Sequence, residues 1–234
     1  MHHFQYQKNE LFCEDVPVKE IAGEVGTPVY IYSAGTLTHH AQVYEQAFSR
    51  MDHLSCYAVK ANSNLAVIRL FARQGMGADV VSGGELFRAL KAGVPADRIV
   101  FAGVGKTRDE LGYALQEDIL MFNCESSDEL ALLDRIAREG GRRARVALRV
   151  NPDIDAATHP YISTGLKKSK FGLAMDLAFQ EYQKATKMKG IEVVGMHSHI
   201  GSQMTEIGPF KAALERISLL VKRLAGEGIH IRSL

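Results

Sequence analysis

Apolar and polar positions along this chain repeat a pattern in which a short apolar run is followed by a longer amphipathic stretch. Short strand-like runs separated by segments of helical periodicity are typical of βαβ units around a parallel sheet. The predicted strands span residues 54–60, 77–81, 98–102, 118–122, 144–150 and 191–199. The predicted helices span residues 33–49, 64–74, 83–92, 107–116, 126–139, 175–187 and 208–225.

Three of the predicted helices begin with the spacing of a capping box. Ser82, Thr107 and Ser126 are each followed three residues later by a glutamate. In that motif the hydroxyl accepts from a backbone N–H of the first turn, and the glutamate reaches back to the N–H of the capping residue. In the last predicted helix one apolar face is expected to pack on the sheet. Its members are Phe210, Leu214, Ile217, Leu220, Val221 and Leu224.

The number of strands predicts an incomplete barrel. Six strands of the series follow residue 53, and residues 229–234 resemble the start of a seventh. A closed (β/α)₈ barrel typically needs about 250 residues. We therefore predict an α/β fold, a (β/α)₈ barrel of TIM type cut short after about six β/α units. Such a fragment exposes strand edges and apolar helix faces, so we expect the isolated chain to be poorly soluble or to dimerise adventitiously.

Residues 1–33 do not follow the repeating pattern. Residues 10–13 and 27–32 are predicted to form short strands around a small helix near residues 18–22. The chain therefore divides into an amino-terminal segment, residues 1–33, and the incomplete barrel, residues 34–234.

Composition and charge narrow the class of protein. Of the 234 residues, 46% are apolar and 24% are charged, as in ordinary folded chains, and the formal net charge is +1. This balance gives no basic surface for nucleic acid or an anionic membrane. The three cysteines, Cys13, Cys56 and Cys124, form no CxxC pair, which indicates neither a disulfide framework nor a zinc knuckle. No signal-peptide or membrane-spanning run is present, so we expect a cytoplasmic protein.

Candidate chemistry follows the predicted strands. Five short motifs stand at strand ends, and they are Lys60, DVVSGGE from Asp79, GVGKT from Gly103, RVNP from Arg149 and HSHIGSQ from His197. In a barrel of parallel strands these ends meet at one rim, where such folds keep their active sites. A lysine placed there can form a Schiff base with a carbonyl group. A neighbouring aspartate would stabilise the protonated nitrogen.

Several motifs admit other interpretations. His197 and His199 alternate along a strand, so both point to one side, which suits two ligands of a zinc ion, stacking on a cofactor ring, or two ordinary structural histidines. No metal site is predicted, because further ligands at other strand ends are not evident. A dinucleotide fingerprint is excluded, because Arg108 occupies its third glycine position. The long connection at residues 151–171 favours an active-site loop.

The motif series YAVKAN, DVVSGGE, GVGKT, RVNPDIDAATHPYISTGLKKSKFG and GMHSHIGSQ resembles the diaminopimelate decarboxylase family. This family belongs to the alanine-racemase-like, fold-type III pyridoxal-phosphate enzymes, together with ornithine and arginine decarboxylases. The resemblance runs from about residue 10 to residue 234, and the THPYISTG and HIGSQ motifs distinguish it from the racemases. It implies that residues 1–33 belong to a β domain and that the barrel binds pyridoxal 5′-phosphate.

The resemblance also implies roles for five residues. Lys60 would hold pyridoxal phosphate through a Schiff base, and Asp79 would lie near that nitrogen. His199 would stack on the pyridine ring, Ser202 would contact the phosphate, and Arg149 would lie near the phenolic oxygen. The loop at 151–172 would cover the substrate side.

The function implied for the complete protein is decarboxylation of meso-2,6-diaminopimelate to L-lysine and CO₂ by a cytoplasmic homodimer. Family members carry further motifs that these 234 residues lack, namely a glycine triplet, a Glu-Pro-Gly-Arg segment, a cysteine motif and a tyrosine. We therefore expect the fragment alone to be inactive. Two alternatives stay open, a decarboxylase of another basic amino acid and a non-catalytic barrel fragment.

Overall fold

The computed structural model describes residues 2–154, 171–202 and 204–234. The THPYISTG motif and most of the predicted active-site loop lie outside the described residues, and so does Gln203 of the HIGSQ motif.

The amino-terminal segment forms a small antiparallel sheet. Its strands are β1 (Phe4–Gln7), β2 (Glu10–Cys13) and β3 (Val16–Pro17), and helix α1 (Val18–Val25) follows them. Strand β2 and the helix were predicted, whereas β1 and β3 were not.

The predicted strand at residues 27–32 is wrong. This stretch is irregular and pairs with no other strand among the described residues. Tyr30 is 90% exposed and Tyr32 is 52% exposed. An apolar run without a pairing partner does not form a strand, even where its composition favours one.

The rest of the chain is an incomplete (β/α) barrel of TIM type with six main parallel strands. These strands are β4 (Cys56–Ala58), β5 (Gly77–Val80), β6 (Ile99–Phe101), β7 (Met121–Cys124), β8 (Ala144–Asn151) and β10 (Ile191–His197). They pair in the spatial order β10-β8-β7-β6-β5-β4. The two-residue strand β9 (Leu173–Ala174) pairs with the carboxyl end of β8. Each main strand lies beside its predecessor, as a chain of right-handed βαβ units requires.

Seven helices cover the barrel strands along the described chain. They are α2 (Ala34–Phe48), α3 (Leu65–Arg73), α4 (Gly83–Ala92), α5 (Arg108–Gln116), α6 (Ser127–Glu139), α7 (Met175–Ala185) and α8 (Gly208–Gly226). All seven were predicted within one or two residues of these bounds. Their inward faces and the strands share one core, and its largest fully buried members include Tyr182, Phe101, Ile68 and Leu148.

The predicted caps are present, with one difference in detail. Ser82, Thr107 and Ser126 each accept a hydrogen bond from the glutamate N–H three residues later. The reciprocal bond to the capping residue's own N–H forms at Thr107. In α4 and α6 the glutamate carboxylate instead reaches one residue further back, to the N–H of Val81 or Glu125. These bonds tie the helix starts to the ends of the preceding strands.

The buried face of α8 differs from the predicted one. Ile217, Leu220 and Leu224 are buried as expected, but Phe210 and Leu214 are more than half exposed. Ala213 is buried instead, and residues 213, 217, 220 and 224 form the continuous stripe that faces the core. Leu214 lies about 100° around the helix from Ala213, which turns it away from that stripe.

Residues 229–234 lie where a seventh strand was predicted. They run parallel to β10, with a single bridge between Gly195 and Ser233 and a hydrogen bond of 2.9 Å from Met196 N–H to the Ser233 carbonyl oxygen. Among the described residues, no helix is long and apolar enough to cross a membrane.

Candidate active site

A cavity of about 330 Å³ lies at the carboxyl ends of the barrel strands. Its volume is at the lower end of the range for small-molecule sites. All five residues predicted from the sequence line it, and they are Lys60, Asp79, Arg149, His199 and Ser202. The parallel sheet brings these residues together because strands that run in one direction end at one rim.

Lys60 stands on a short, well-held turn. Strand β4 ends two residues earlier than predicted, at Ala58, and a 3₁₀ turn over Val59–Ala61 carries Lys60. The Val59 side chain is fully buried, whereas Lys60 is exposed to the cavity. On the far side of the turn, the Tyr57 hydroxyl donates to the Asn62 carbonyl oxygen at 3.0 Å. The backbone that carries the lysine is therefore anchored on both sides.

Asp79 lies near the end of β5 and faces the same cavity. Its Oδ1 atom is buried and has no hydrogen-bond partner among the described residues. Burial raises the pKa of this carboxyl from 3.8 to about 6, against the opposing effect of the positive charge of Lys60. At neutral pH the carboxyl is mostly ionised, so it presents a negative charge toward the lysine.

Arg149 and Glu125 form a buried ion pair in the wall of the cavity. The Arg149 Nη1 atom lies 2.8 Å from Glu125 Oε1, and the two side chains are only 12% and 3% exposed. The Arg149 guanidinium also lies 5.5 Å from the centre of the Phe171 ring. Glu125 Oε2 is buried without a hydrogen-bond partner among the described residues, although it borders the cavity.

Glu125 was not predicted, and the reason is a strand boundary. The fourth barrel strand was placed at residues 118–122, but β7 spans Met121–Cys124. Glu125 is therefore the residue that follows the strand's carboxyl end. The rule that identified the other five strand ends would have identified it, had the apolar residues Ile119 and Leu120 not set the boundary too early.

His197 and His199 both line the cavity, as their alternation predicted. Burial, with a further contribution from the positive charge of Arg149, lowers the pKa of His197 from 6.5 to about 3. The same two causes lower the pKa of His199. Both imidazoles are therefore neutral at physiological pH. The Nδ1 atom of His197 is buried and has no hydrogen-bond partner among the described residues.

Lys106, from the GVGKT motif, lies behind the cavity wall. Its Nζ atom donates to the carbonyl oxygens of Gly103 and Asn123 at 2.6 and 2.9 Å, and to Glu129 Oε1 at 2.6 Å. The side chain is fully buried. It therefore ties the loop after β6 to the end of β7 and to α6. Gly103, at φ +94°, supplies the backbone turn that this arrangement needs.

The zinc alternative has no ligand set in the part of the chain that the structure describes. Within it, no group of three or more His, Cys, Asp or Glu side chains is placed to hold a metal ion.

A second cavity, of about 550 Å³, lies beside β4 and the end of the chain at Leu234, and none of the predicted site residues lines it.

Residues 34–234 match the model of the family described as pyridoxal-dependent decarboxylase, pyridoxal binding domain. A diaminopimelate decarboxylase of Pseudomonas aeruginosa is 52% identical over 234 residues, which is 100% of this chain and 56% of that protein. The diaminopimelate decarboxylase of Aquifex aeolicus is 49% identical over 232 residues, which is 99% of this chain and 55% of that protein.

A solved structure of a protein with the same name has a closely similar fold. The crystal structure of diaminopimelate decarboxylase from M. jannaschii in complex with L-lysine superposes with a TM-score of 0.91 at 41% identity. The match covers 97% of this chain and 54% of that one. The chain thus spans about half the length of the curated relatives that it matches.

Proposed function

The chain belongs to the pyridoxal-dependent decarboxylases, whose pyridoxal-binding domain it matches over residues 34–234, and from this we propose that the complete protein converts meso-2,6-diaminopimelate to L-lysine and CO₂. The observation that carries the proposal is the meeting of an exposed lysine, a buried carboxylate and two neutral histidines in one cavity at the carboxyl ends of the strands. The choice of substrate is supported by relatives that are about 50% identical to this chain and are named diaminopimelate decarboxylase.

The described residues fit pyridoxal phosphate as the cofactor. Three buried polar atoms at the cavity, on Asp79, Glu125 and His197, have no hydrogen-bond partner among the described residues, although buried polar groups are normally paired. A polar ligand in the cavity would supply the missing partners. Lys60 is the amine in this cavity that is exposed, so it is the group that would hold the cofactor aldehyde covalently.

In our proposal Asp79 sets the charge at the nitrogen of Lys60. A carboxylate in low-dielectric surroundings favours a positive charge beside it, and the Asp79 carboxyl already interacts electrostatically with the lysine. Asp79 would therefore hold a proton at the lysine nitrogen, and this proton would help the amine of the amino acid take the place of Lys60 on the cofactor.

His199, Ser202 and Arg149 would hold the rest of the cofactor. His199 presents a flat imidazole that is neutral at physiological pH, so it can stack on an aromatic ring without adding charge. Ser202 offers a hydroxyl donor for a phosphate oxygen. Arg149, fixed by Glu125, offers a guanidinium for a phenolate oxygen.

Pyridoxal phosphate, when bound, supplies an electron sink for the electron pair released as the Cα–carboxylate bond breaks. The buried Arg149–Glu125 pair and the buried histidine at the end of β10 limit water at the inner wall of the cavity. Exclusion of water strengthens each of these electrostatic interactions.

Borohydride trapping tests the covalent site. The complete protein is incubated with pyridoxal phosphate and reduced, and the labelled peptide is mapped. We expect the label on the peptide that contains Lys60, no label there in a Lys60→Ala variant, and unchanged labelling of Lys60 in a control Lys91→Ala variant, since Lys91 lies exposed on α4. Label confined to other lysines would contradict the assignment.

Substrate choice is tested separately. We expect the complete protein to release CO₂ from meso-2,6-diaminopimelate and to form L-lysine, with much slower release from L-lysine, L-ornithine or L-arginine. Faster turnover of one of these three amino acids would replace the proposal by a decarboxylase of another basic amino acid. No turnover of any of them by the complete protein would favour a non-catalytic role.

The proposal includes the assembly and location of the complete protein. We propose a cytoplasmic homodimer, in line with the family resemblance of the motifs. Light scattering during size-exclusion chromatography would show a mass of twice the chain, and a monomer that retains full activity would contradict the dimer.

A further inference from the structure

His197 faces the cavity although the regular alternation of its strand would turn it the other way. His197 and Ile191 are six residues apart in β10, and an even separation places two side chains on the same face of a regular strand. Ile191 is 1% exposed and pairs with Ala144, which lies five residues before the cavity-lining Arg149 in β8 and therefore on the opposite face of the sheet. His197 nevertheless lines the cavity at the inner side of the sheet.

A β-bulge between Val193 and Gly195 accounts for the reversal. Val193 pairs with Val146 on β8, but the next pair is Gly195 with Ala147, so Val194 is an extra residue in β10. One extra residue exchanges the two faces for everything that follows it. Beyond the bulge, His197 becomes the register partner of Arg149, and both side chains line the cavity. If Val194 instead paired with Ala147 in a regular ladder, Met196 would lie opposite Arg149.

The Tyr182 hydroxyl lies at this bulge. Tyr182 comes from α7, is fully buried, and accepts a hydrogen bond from Leu148 N–H at 3.3 Å. It donates to the Gly195 carbonyl oxygen at 2.8 Å. The hydroxyl therefore bridges β8 and β10 at the point where their regular ladder is interrupted. Burial raises the pKa of this hydroxyl, so it stays protonated and can donate throughout the physiological range.

The surroundings of the bulge leave little freedom for another arrangement. A side chain at Gly195 would approach Ala147 Cβ to 3.3 Å and the Ser233 carbonyl oxygen to 3.1 Å. The carbonyl oxygen of Val194 accepts from the N–H groups of Arg232 and Ser233 at 3.0 and 3.2 Å. Residues 232–233 thus donate to the carbonyl oxygen of Val194, and the Tyr182 hydroxyl donates to that of Gly195.

We propose that Tyr182 is a positioning residue for the active site, whose hydroxyl holds the β10 bulge and so keeps His197, and the segment that leads to His199, turned into the cavity. Tyr182 acts through these histidines and does not itself line the cavity. The proposal rests on the proposed function in treating this cavity as the active site.

The test measures the protonation of the His197 and His199 imidazoles in the cofactor-free complete protein. Side-chain ¹⁵N spectra of ¹⁵N-histidine protein are recorded from pH 5 to pH 9, with His197→Gln and His199→Gln variants to assign the signals. In the unmodified protein the His197 imidazole should stay neutral across this range, because its pKa is about 3. In a Tyr182→Phe variant, we expect His197 to titrate within the range, a rise in midpoint of about 2 pH units or more, because an imidazole released from burial regains its ordinary protonation.

The matched control is Tyr113→Phe, which removes a tyrosine hydroxyl from α5, where the ring is partly buried against the same core. It should leave the histidine signals unchanged. Unchanged histidine signals in Tyr182→Phe would overturn the proposal, even if that variant were less stable. Because these spectra need neither cofactor nor substrate, a failure to label Lys60 would leave this result interpretable, and the reverse also holds.

A second variant covers the case in which Tyr182→Phe does not fold cooperatively. Deleting Val194 makes β10 regular while keeping His197 opposite Arg149, so the bulge that needs the hydroxyl disappears. The deletion combined with Tyr182→Phe should then fold and keep a neutral His197. If the combined variant folds no better than Tyr182→Phe alone, the hydroxyl does not act through the bulge and the proposal is wrong.

Discussion

Lys60 and Lys106 both follow a strand of the same sheet, yet their surroundings are opposite. Lys60 is exposed at the cavity, whereas Lys106 is fully buried and bonded to two carbonyl oxygens and to Glu129. A buried lysine amine that is engaged in three hydrogen bonds is not accessible to a carbonyl group, so it can only hold the structure. We therefore expect a lysine at a strand end to act as a nucleophile only where the fold leaves its amine accessible.

The largest expected effect is on catalysis, through Lys60. In the complete protein, Lys60→Ala should lower the rate of diaminopimelate decarboxylation by about 10³-fold or more, because it removes the covalent anchor. The rate of CO₂ release measures it, and Lys91→Ala serves as the control. A residual rate within about tenfold of that of the unmodified protein would contradict the role of Lys60 as the covalent anchor.

The next effect is on stability, through Lys106. Lys106→Met should lower the free energy of unfolding by about 3–5 kcal/mol, because it leaves the Glu129 carboxylate buried without its cation. Urea denaturation measures this change. The double variant Lys106→Met/Glu129→Gln should recover part of the loss, since it removes the uncompensated charge.

Lys60→Met is the matched control for that experiment. It makes the same chemical change at the exposed lysine, so we expect a change within about 1 kcal/mol. Equal losses of stability at the two positions would show that the buried ion pair of Lys106 contributes no more to stability than the exposed Lys60.

The sequence predicted the position of Lys60 but not the burial of Lys106, and the reason is physical. Hydrophobic periodicity identified the six main barrel strands and the seven helices that cover them, because burial against a sheet imposes a period that a single sequence displays. It also placed Lys60 at a strand end. It did not show that Lys106 is buried, because its partners Asn123 and Glu129 are 17 and 23 residues away and belong to the next β/α unit.

The same limit explains the other differences. The bulge at Val194 lies beside a hydroxyl donated from α7, and no pattern within β10 reveals either of them. Residues 27–32 have the composition of a strand, but strand formation requires a partner, which composition does not specify. Predictions from local pattern therefore succeed for the main strands and helices of the barrel, and they fail where a partner distant in the sequence decides the outcome.

A third effect concerns the charge that faces Lys60. Burial raises the pKa of Asp79 from 3.8 to about 6, so folding favours the protonated carboxyl. The contribution of Asp79 to stability is therefore fully present below about pH 4 and is lost as the pH rises through 6. In the cofactor-free protein, Asp79→Asn should raise the free energy of unfolding by about 3 kcal/mol at pH 8 and by much less at pH 4.

The measurement is urea denaturation at several pH values, and Asp97→Asn is its control, because Asp97 is exposed on the surface. The difference between Asp79→Asn and the unmodified protein should grow between pH 4 and pH 7 and then level off. A difference that is constant with pH would show that ionisation of Asp79 is not the cause.

The smallest effect lies one residue beyond Lys106, at the start of α5. The Thr107 hydroxyl accepts from Glu110 N–H, and the Glu110 carboxylate accepts from Thr107 N–H at 3.0 Å and from Gly83 N–H at 2.8 Å. Thr107→Ala should lower the free energy of unfolding by about 1 kcal/mol, because it removes one half of this capping box. Thr107→Ser keeps the hydroxyl and should retain most of the stability. Since the buried Lys106 already fixes the preceding loop, loss of the cap should leave labelling of Lys60 unchanged, and reduced labelling would show that the two lysines are coupled through the loop after β6.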